Sequence, residues 1–128
     1  VAWNFLTVED VERIHDEMLL LGGLEGLRDH GLLESAVIRP QQTAEYLEGA
    51  SAADLAASLG YGVIKNRAFL DANKRTGLAS VVIFLRANGY RLLATTAEKV
   101  RAVEDVASGQ MSESEWTAWI SERLERLS

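Results

Sequence analysis

Residues 65–77 read KNRAFLDANKRTG and place Asp71, Asn73, Lys74 and Arg75 within five residues, directly ahead of a long apolar run. A carboxylate, an amide and two fixed cations at this spacing are groups suited to a phosphorylated ligand. If a helix starts at about Asn73, its first turn adds unpaired backbone N–H groups and the positive end of the macrodipole, a ready anion site. These N–H groups fall at about Asn73 to Thr76, so Asn73, Lys74, Arg75 and Thr76 are the candidate phosphate contacts. Ala72 is small enough for a ligand to approach the backbone. Lys74 and Arg75 put positive charge where the dipole favours Asp or Glu. A local rule broken by two adjacent residues points to function, and bound phosphate would supply the missing negative charge. Asp71 is then a natural oxygen ligand for a magnesium ion (Mg2+) shared with that phosphate. Chemistry alone leaves a second reading open, in which Asp71 or Asn73 caps the helix and the two cations are solvated. Phe69 reads as the anchor of the loop in the core.

Two helices must bracket this turn. Ser51 caps the first, with Leu55, Leu59 and Val63 facing inward, and that helix frays near Asn66. A loop runs from Arg67 to about Asn73. Residues 74–88 form a helix that is apolar on most sides, through Leu78, Val81, Val82, Phe84 and Leu85, which places it in the middle of a bundle. Asn88-Gly89 stops it. Upstream, Thr7 with Asp10 is a variant capping box. Val11, Ile14, Met18 and Leu21 recur at helical spacing until Gly22-Gly23. GGLEGLRDHG is a glycine-punctuated loop, and a helix from about Gly31 carries Leu33, Ala36 and Val37 inward. Pro40 is expected at or just beyond the end of that helix, or as a kink; QQTAEYLEG adds a turn or two up to Gly49. YRLLA (90–94) is short and suited to extended chain. Helices over 96–108 and 112–127 follow, the last with Trp116, Trp119, Ile120, Leu124 and Leu127 on one core face. No internal repeat is present. The class is all-α, a compact helical bundle of about six helices.

With 128 residues, one domain over 1–128 is the default, and such a chain buries roughly two-thirds of its extended surface. Apolar residues at 48% and charged residues at 25% give the balance of a soluble globule. The net charge of −6 argues against direct nucleic-acid binding or a membrane-binding face, since both need a basic stripe. A small anion pocket is compatible with it. The absence of cysteine excludes disulfides, thiolate metal sites and cysteine nucleophiles. No apolar run reaches membrane-spanning length and the start lacks signal-peptide order, so a cytoplasmic location is expected. His15 and His30 are the histidines; neither has a second histidine at ligand spacing, so ordinary polar roles are expected.

RAFLDANKRTG resembles the active-site motif of the Fic/Doc family, His-x-Phe-x-x-(Gly/Ala)-Asn-x-Arg. Its Ala-Asn-Lys-Arg-Thr ending is similar to the Doc branch, the death-on-curing toxins of toxin–antitoxin pairs. LGGLEGLRDHGLLESAVIRPQ (21–41) is similar to the same branch, and two separated segments make the resemblance specific. It runs from about Phe5 to Gly89. It implies a Fic/Doc fold and a transferase that uses ATP and Mg2+. Most Fic proteins transfer AMP and carry a second Gly where this chain has Lys74. The Lys of the Doc branch goes with γ-phosphate transfer, a protein-kinase activity, to a threonine of elongation factor Tu, which halts translation. Carried over, Asp71 would hold the metal, Asn73 would bond phosphate, and Lys74 and Arg75 would stabilise the transferring phosphoryl group. Arg67 stands where the resemblance implies a general-base histidine. Guanidinium stays protonated and cannot take the proton of a hydroxyl, so the chain as written is expected to be inactive. The intact remainder of the site favours a selected or introduced inactivating change over gradual decay. An antitoxin helix in an apolar groove is the implied partner. A Fic-type AMP transferase and a catalytically silent binding module are the alternatives.

Overall fold

Local sequence sets where the helices begin. In the computed structural model, which describes residues 2–128, capping boxes open α1 (Val8–Met18), α3 (Ala52–Asn66), α5 (Thr96–Ser108) and α6 (Glu113–Ser121). The hydroxyls are those of Thr7, Ser51, Thr95 and Ser112; the reciprocating carboxylates are those of Asp10, Asp54, Glu98 and Glu115. Asp29 caps α2 (His30–Tyr46) by accepting the Leu32 N–H at 3.0 Å. The remaining helix, α4 (Asn73–Ala87), has no side-chain cap.

α3 and α4 form the centre. Leu55, Leu59, Val81, Phe84 and Trp116 are sealed in a core continuous through the six helices. The two central helices approach closely because each presents a glycine. A Cβ on Gly60 would lie 2.5 Å from Val81 Cγ2, and one on Gly77 2.5 Å from Ile64 Cγ1. α4 also packs on α1 and α5, the middle position that its all-round apolarity predicts.

Two boundaries differ from the sequence reading, and the choice left open at Pro40 is decided. α2 runs through Pro40 to Tyr46, with Val37, Pro40 and Thr43 buried together. Packing along α3 outweighs the hydrogen bond that proline forfeits. α1 stops at Met18, and Leu19–Leu21 form a 3-10 turn whose leucines at 20 and 21 are exposed. The last helix stops at Ser121 instead of reaching Leu127. Beyond it, β2 (Leu124–Arg126) pairs antiparallel with β1 (Tyr90–Leu92), Leu124 opposite Leu92. Leu127 N–H donates to Gly89 O at 2.8 Å and Leu93 N–H to Arg123 O at 2.7 Å. The tail thus satisfies its backbone on a strand some thirty residues earlier, where helical periodicity cannot report it. The helical part of the expected face therefore ends at Ile120; Leu124 still packs on the core from the strand, and Leu127 is exposed. YRLLA is extended, as read. No described helix is long and apolar enough to cross a membrane.

Candidate active site

The turn between α3 and α4 is held in a conformation that few side chains favour. Arg67 ends α3 at φ 50°, ψ 50°, and Ala72 precedes α4 at φ 63°, ψ 23°. Left-handed backbone at non-glycine residues costs of order 1–3 kcal/mol each and persists where surroundings over-determine it. Here they do. The glycine segment lies antiparallel against the turn, Leu27 opposite Phe69. The Arg28 and Asp29 N–H groups both donate to Ala68 O, at 2.7 and 3.0 Å, and Leu70 N–H donates to Gly26 O at 3.0 Å. The Arg28 guanidinium spans Arg67 O at 2.8 Å and Asn66 O at 3.0 Å. From below, the buried His15 ring stacks on Phe69 at 3.8 Å and 7°. His15 Nε2 donates to Asp71 O at 2.9 Å.

Asp71 is locked at both oxygens, Oδ1 by Ala72 N–H at 2.8 Å and Oδ2 by Leu24 N–H at 3.1 Å. The Ala72 amide first, then the Leu24 amide, and more weakly the Arg75 charge hold its carboxyl below the ordinary value. Asp71 is therefore an anion at neutral pH. Gly23 makes room for it: at φ 126°, a Cβ there would sit 3.0 Å from Asp71 Oδ2 and 3.2 Å from Arg75 Nη2. Arg75 Nη1 donates to Met18 O at 2.8 Å, which fixes the guanidinium. Lys74 Nζ lies 3.4 Å from Glu104 Oε2 of α5, in a half-exposed pair.

Asp71, Asn73, Lys74 and Arg75 line one cavity of about 890 Å³, together with Arg67. The first helical amide with a helical acceptor is that of Thr76, which donates to Ala72 O at 2.9 Å. The amides of Asn73, Lys74 and Arg75 precede it, at a helix end without a side-chain cap. Thr76, expected among the phosphate contacts, is fully buried with its hydroxyl in the core. The fourth residue of α4 thus turns into the core, while residues 73–75 line the cavity. Asn73 is at the cavity, but its side chain is committed to the loop. Its Oδ1 accepts Phe69 N–H at 3.1 Å and its Nδ2 donates to Phe69 O at 3.0 Å.

α5 supplies a wall the sequence reading did not assign, through Val100, Val103, Glu104 and Ala107. Their spacing is a helical face legible in the sequence, though what it faces is not. Arg28, Gly23 and His15 were also not assigned to the site. The signal for His15 was its position beside Ile14 and four residues after Val11, in the buried stripe of α1. Among the described residues, no three His, Cys, Asp or Glu side chains cluster as a metal cage. A magnesium ion held mainly by phosphate oxygens and water needs only one or two carboxylates. Ionised Asp71 fits that need, since each oxygen keeps a lone pair beyond its one N–H bond.

Residues 5–85 match the model of the Fic/DOC family. The chain belongs to the Fic/DOC family. Toxin Doc of Mycolicibacterium smegmatis is similar at 40% identity over 92 residues, covering 71% of this chain and 69% of that protein. Protein kinase doc of Escherichia phage P1 is similar at 30% identity over 123 residues, covering 95% of this chain and 94% of that protein. The Fic/DOC match contains both the glycine segment and the 67–72 turn, which the fold brings into hydrogen-bonded contact. α5 begins beyond it, so the cavity of this Fic/DOC chain is closed partly by residues outside the matched span.

Proposed function

We propose that this chain is a Doc-type toxin, one Fic/Doc-like domain over 1–128, whose site is that of a phosphotransferase using ATP and Mg2+. The γ-phosphate goes to a hydroxyl of a translation factor, elongation factor Tu, and translation stops. The observation that carries this reading is the start of α4. An uncapped helix end with leading amides, Lys74 and Arg75 opens on the same cavity as ionised Asp71. The similarity to Toxin Doc and Protein kinase doc supports the toxin and kinase parts.

In the transfer, the target oxygen bonds to the γ-phosphorus as the bond to the β,γ-bridging oxygen breaks, and ADP leaves. Asp71 would hold a magnesium ion bound with the nucleotide, which would neutralise phosphate charge; the α4 amides and the free Asn73 amide hydrogen would orient phosphate oxygens, and Lys74 and Arg75 would balance the transferring charge. The hydroxyl proton needs an acceptor, and the family histidine position carries Arg67, which cannot accept one. Neither Asp71 nor His15 takes over that role. Two N–H bonds weaken Asp71 as a base, and His15 is buried with Nε2 on a carbonyl. The chain as written is thus a binding-competent, catalytically disabled toxin. Its antitoxin covers the site with a helical segment, seated on the apolar part of the cavity formed by Leu70, Leu78, Val100 and Val103.

The test uses ATP labelled at the α or the γ position, elongation factor Tu, and the Arg67→His variant. Label from the γ position on elongation factor Tu is the expected result. Label from the α position reassigns the protein to AMP transfer. Binding of Mg-ATP without transfer from either position leaves a binding module. No Mg-ATP binding removes the reading.

A further inference from the structure

His15 is a buried histidine on α1 that no step above uses. Stacking on Phe69 needs only a flat ring and no proton donor. What the histidine adds is one N–H, and that N–H meets the carbonyl of Asp71 at 2.9 Å. Asp71 precedes the capping position Ala72, so its carbonyl lies outside the α4 ladder, which begins with Thr76 N–H on Ala72 O. The Asp71 carbonyl and the Ala72 N–H belong to one rigid peptide plane. That same N–H grips Asp71 Oδ1 at 2.8 Å. Rotation of the plane would relieve the left-handed backbone of Ala72, at φ 63°, and would swing the N–H off the carboxylate.

We infer that His15 is a positioning residue: by holding the 71–72 peptide plane from beneath, it sets where the Asp71 carboxylate points into the cavity. The carbonyl is an acceptor, so His15 must carry its proton on Nε2. Both the Nε2–H tautomer and the imidazolium make the bond. The stack on Phe69, whose N–H and C=O are clamped by Asn73, fixes the ring that makes it. Met18 O, three residues further along α1, holds Arg75, so one turn of α1 carries both charged sides of the opening.

The consequence for ligand binding rests on the Mg-nucleotide reading above; the consequence for Asp71 does not. In unmodified protein labelled with 15N-histidine, the long-range 1H–15N spectrum should show His15 with its proton on Nε2. An Nδ1–H tautomer overturns the inference. His15→Phe keeps the stack and removes the donor. It should shift the Ala72 and Leu24 amide resonances, because their common acceptor, the Asp71 carboxylate, moves. It should also weaken Mg-ADP binding roughly tenfold, within the ~10–100-fold that losing the supporting partner of a metal ligand costs. His15→Gln, which keeps a donor near the Nε2 position, should restore the amide shifts. A folded His15→Phe protein with unmoved Ala72 and Leu24 amides overturns the inference. Should His15→Phe not fold, the tautomer and the His15→Gln amide shifts decide it. Unmodified protein that binds no Mg-ADP refutes the functional reading alone, since the amide and tautomer readouts still judge His15.

Discussion

Arg67→His separates chemistry from folding because of where the residue sits. Arg67 is exposed at the edge of the cavity, and the bond that fixes it is made by its backbone carbonyl to Arg28 Nε at 2.8 Å. Any side chain leaves that bond in place. Its φ of 50° is a conformation in which histidine is enriched among non-glycine residues. An exposed substitution of this kind changes stability by about 0.5 kcal/mol or less. Removing a cation beside the phosphates weakens Mg-ATP binding modestly, by about 0.2–1 kcal/mol or up to roughly fivefold, the range of exposed charge pairs. A general base contributes on the order of 10²–10⁴ in rate, which is about 2.7–5.4 kcal/mol of barrier. Affinity should therefore fall slightly while transfer rises by at least two orders of magnitude. The assay is initial-rate γ-phosphate transfer to elongation factor Tu, with calorimetric Mg-ATP affinity and a melting curve on the same preparations. Growth after induction without antitoxin reads the same effect in cells. If Arg67→His melts like the parent, binds Mg-ATP and still transfers nothing, the reasoning is refuted.

Gly23→Ala should cost about 1–3 kcal/mol through its φ and also displace Asp71 and Arg75. Gly22→Ala shares the strained φ but meets nothing within 4 Å. Calorimetry should show Mg-nucleotide affinity lost in the first and kept in the second. Glu104→Gln frees Lys74 for phosphate and should tighten Mg-ADP binding by up to about fivefold, with little change in melting temperature. Asn73→Ala removes both bonds to the Phe69 backbone and should destabilise the fold by about 1–3 kcal/mol, read by urea denaturation. Asp71, Glu98 and Glu115 all have carboxyls held below their ordinary values, in each case chiefly by a backbone amide. Their contribution to stability is full above the unfolded-state values and lost as pH falls through the lower folded-state ones. Melting temperature should therefore drop on acidification below the ordinary carboxylate range, and Glu98→Gln with Glu115→Gln should flatten that drop.

Helix starts were legible in the sequence because a capping box closes over three residues. Thr7 with Asp10 was read as one, and Ser51 was read as the cap of α3. The central place of α4 was legible because it is apolar on most sides. The crowding of Asp71, Lys74 and Arg75 at a helix start was legible for the same local reason. Tertiary structure decided the rest. It carried α2 through Pro40, since packing on α3 outweighs a local penalty. It gave the end of the chain a strand partner instead of a last helical turn. It turned Thr76 into the core and set Glu104 of α5 beside Lys74. It also put His15 under Asp71, across 56 positions of sequence. Caps, charges and periodicity act between neighbours and are written where they act. The orientation of a carboxylate depends on a peptide plane held by another helix, and only packing brings that helix there.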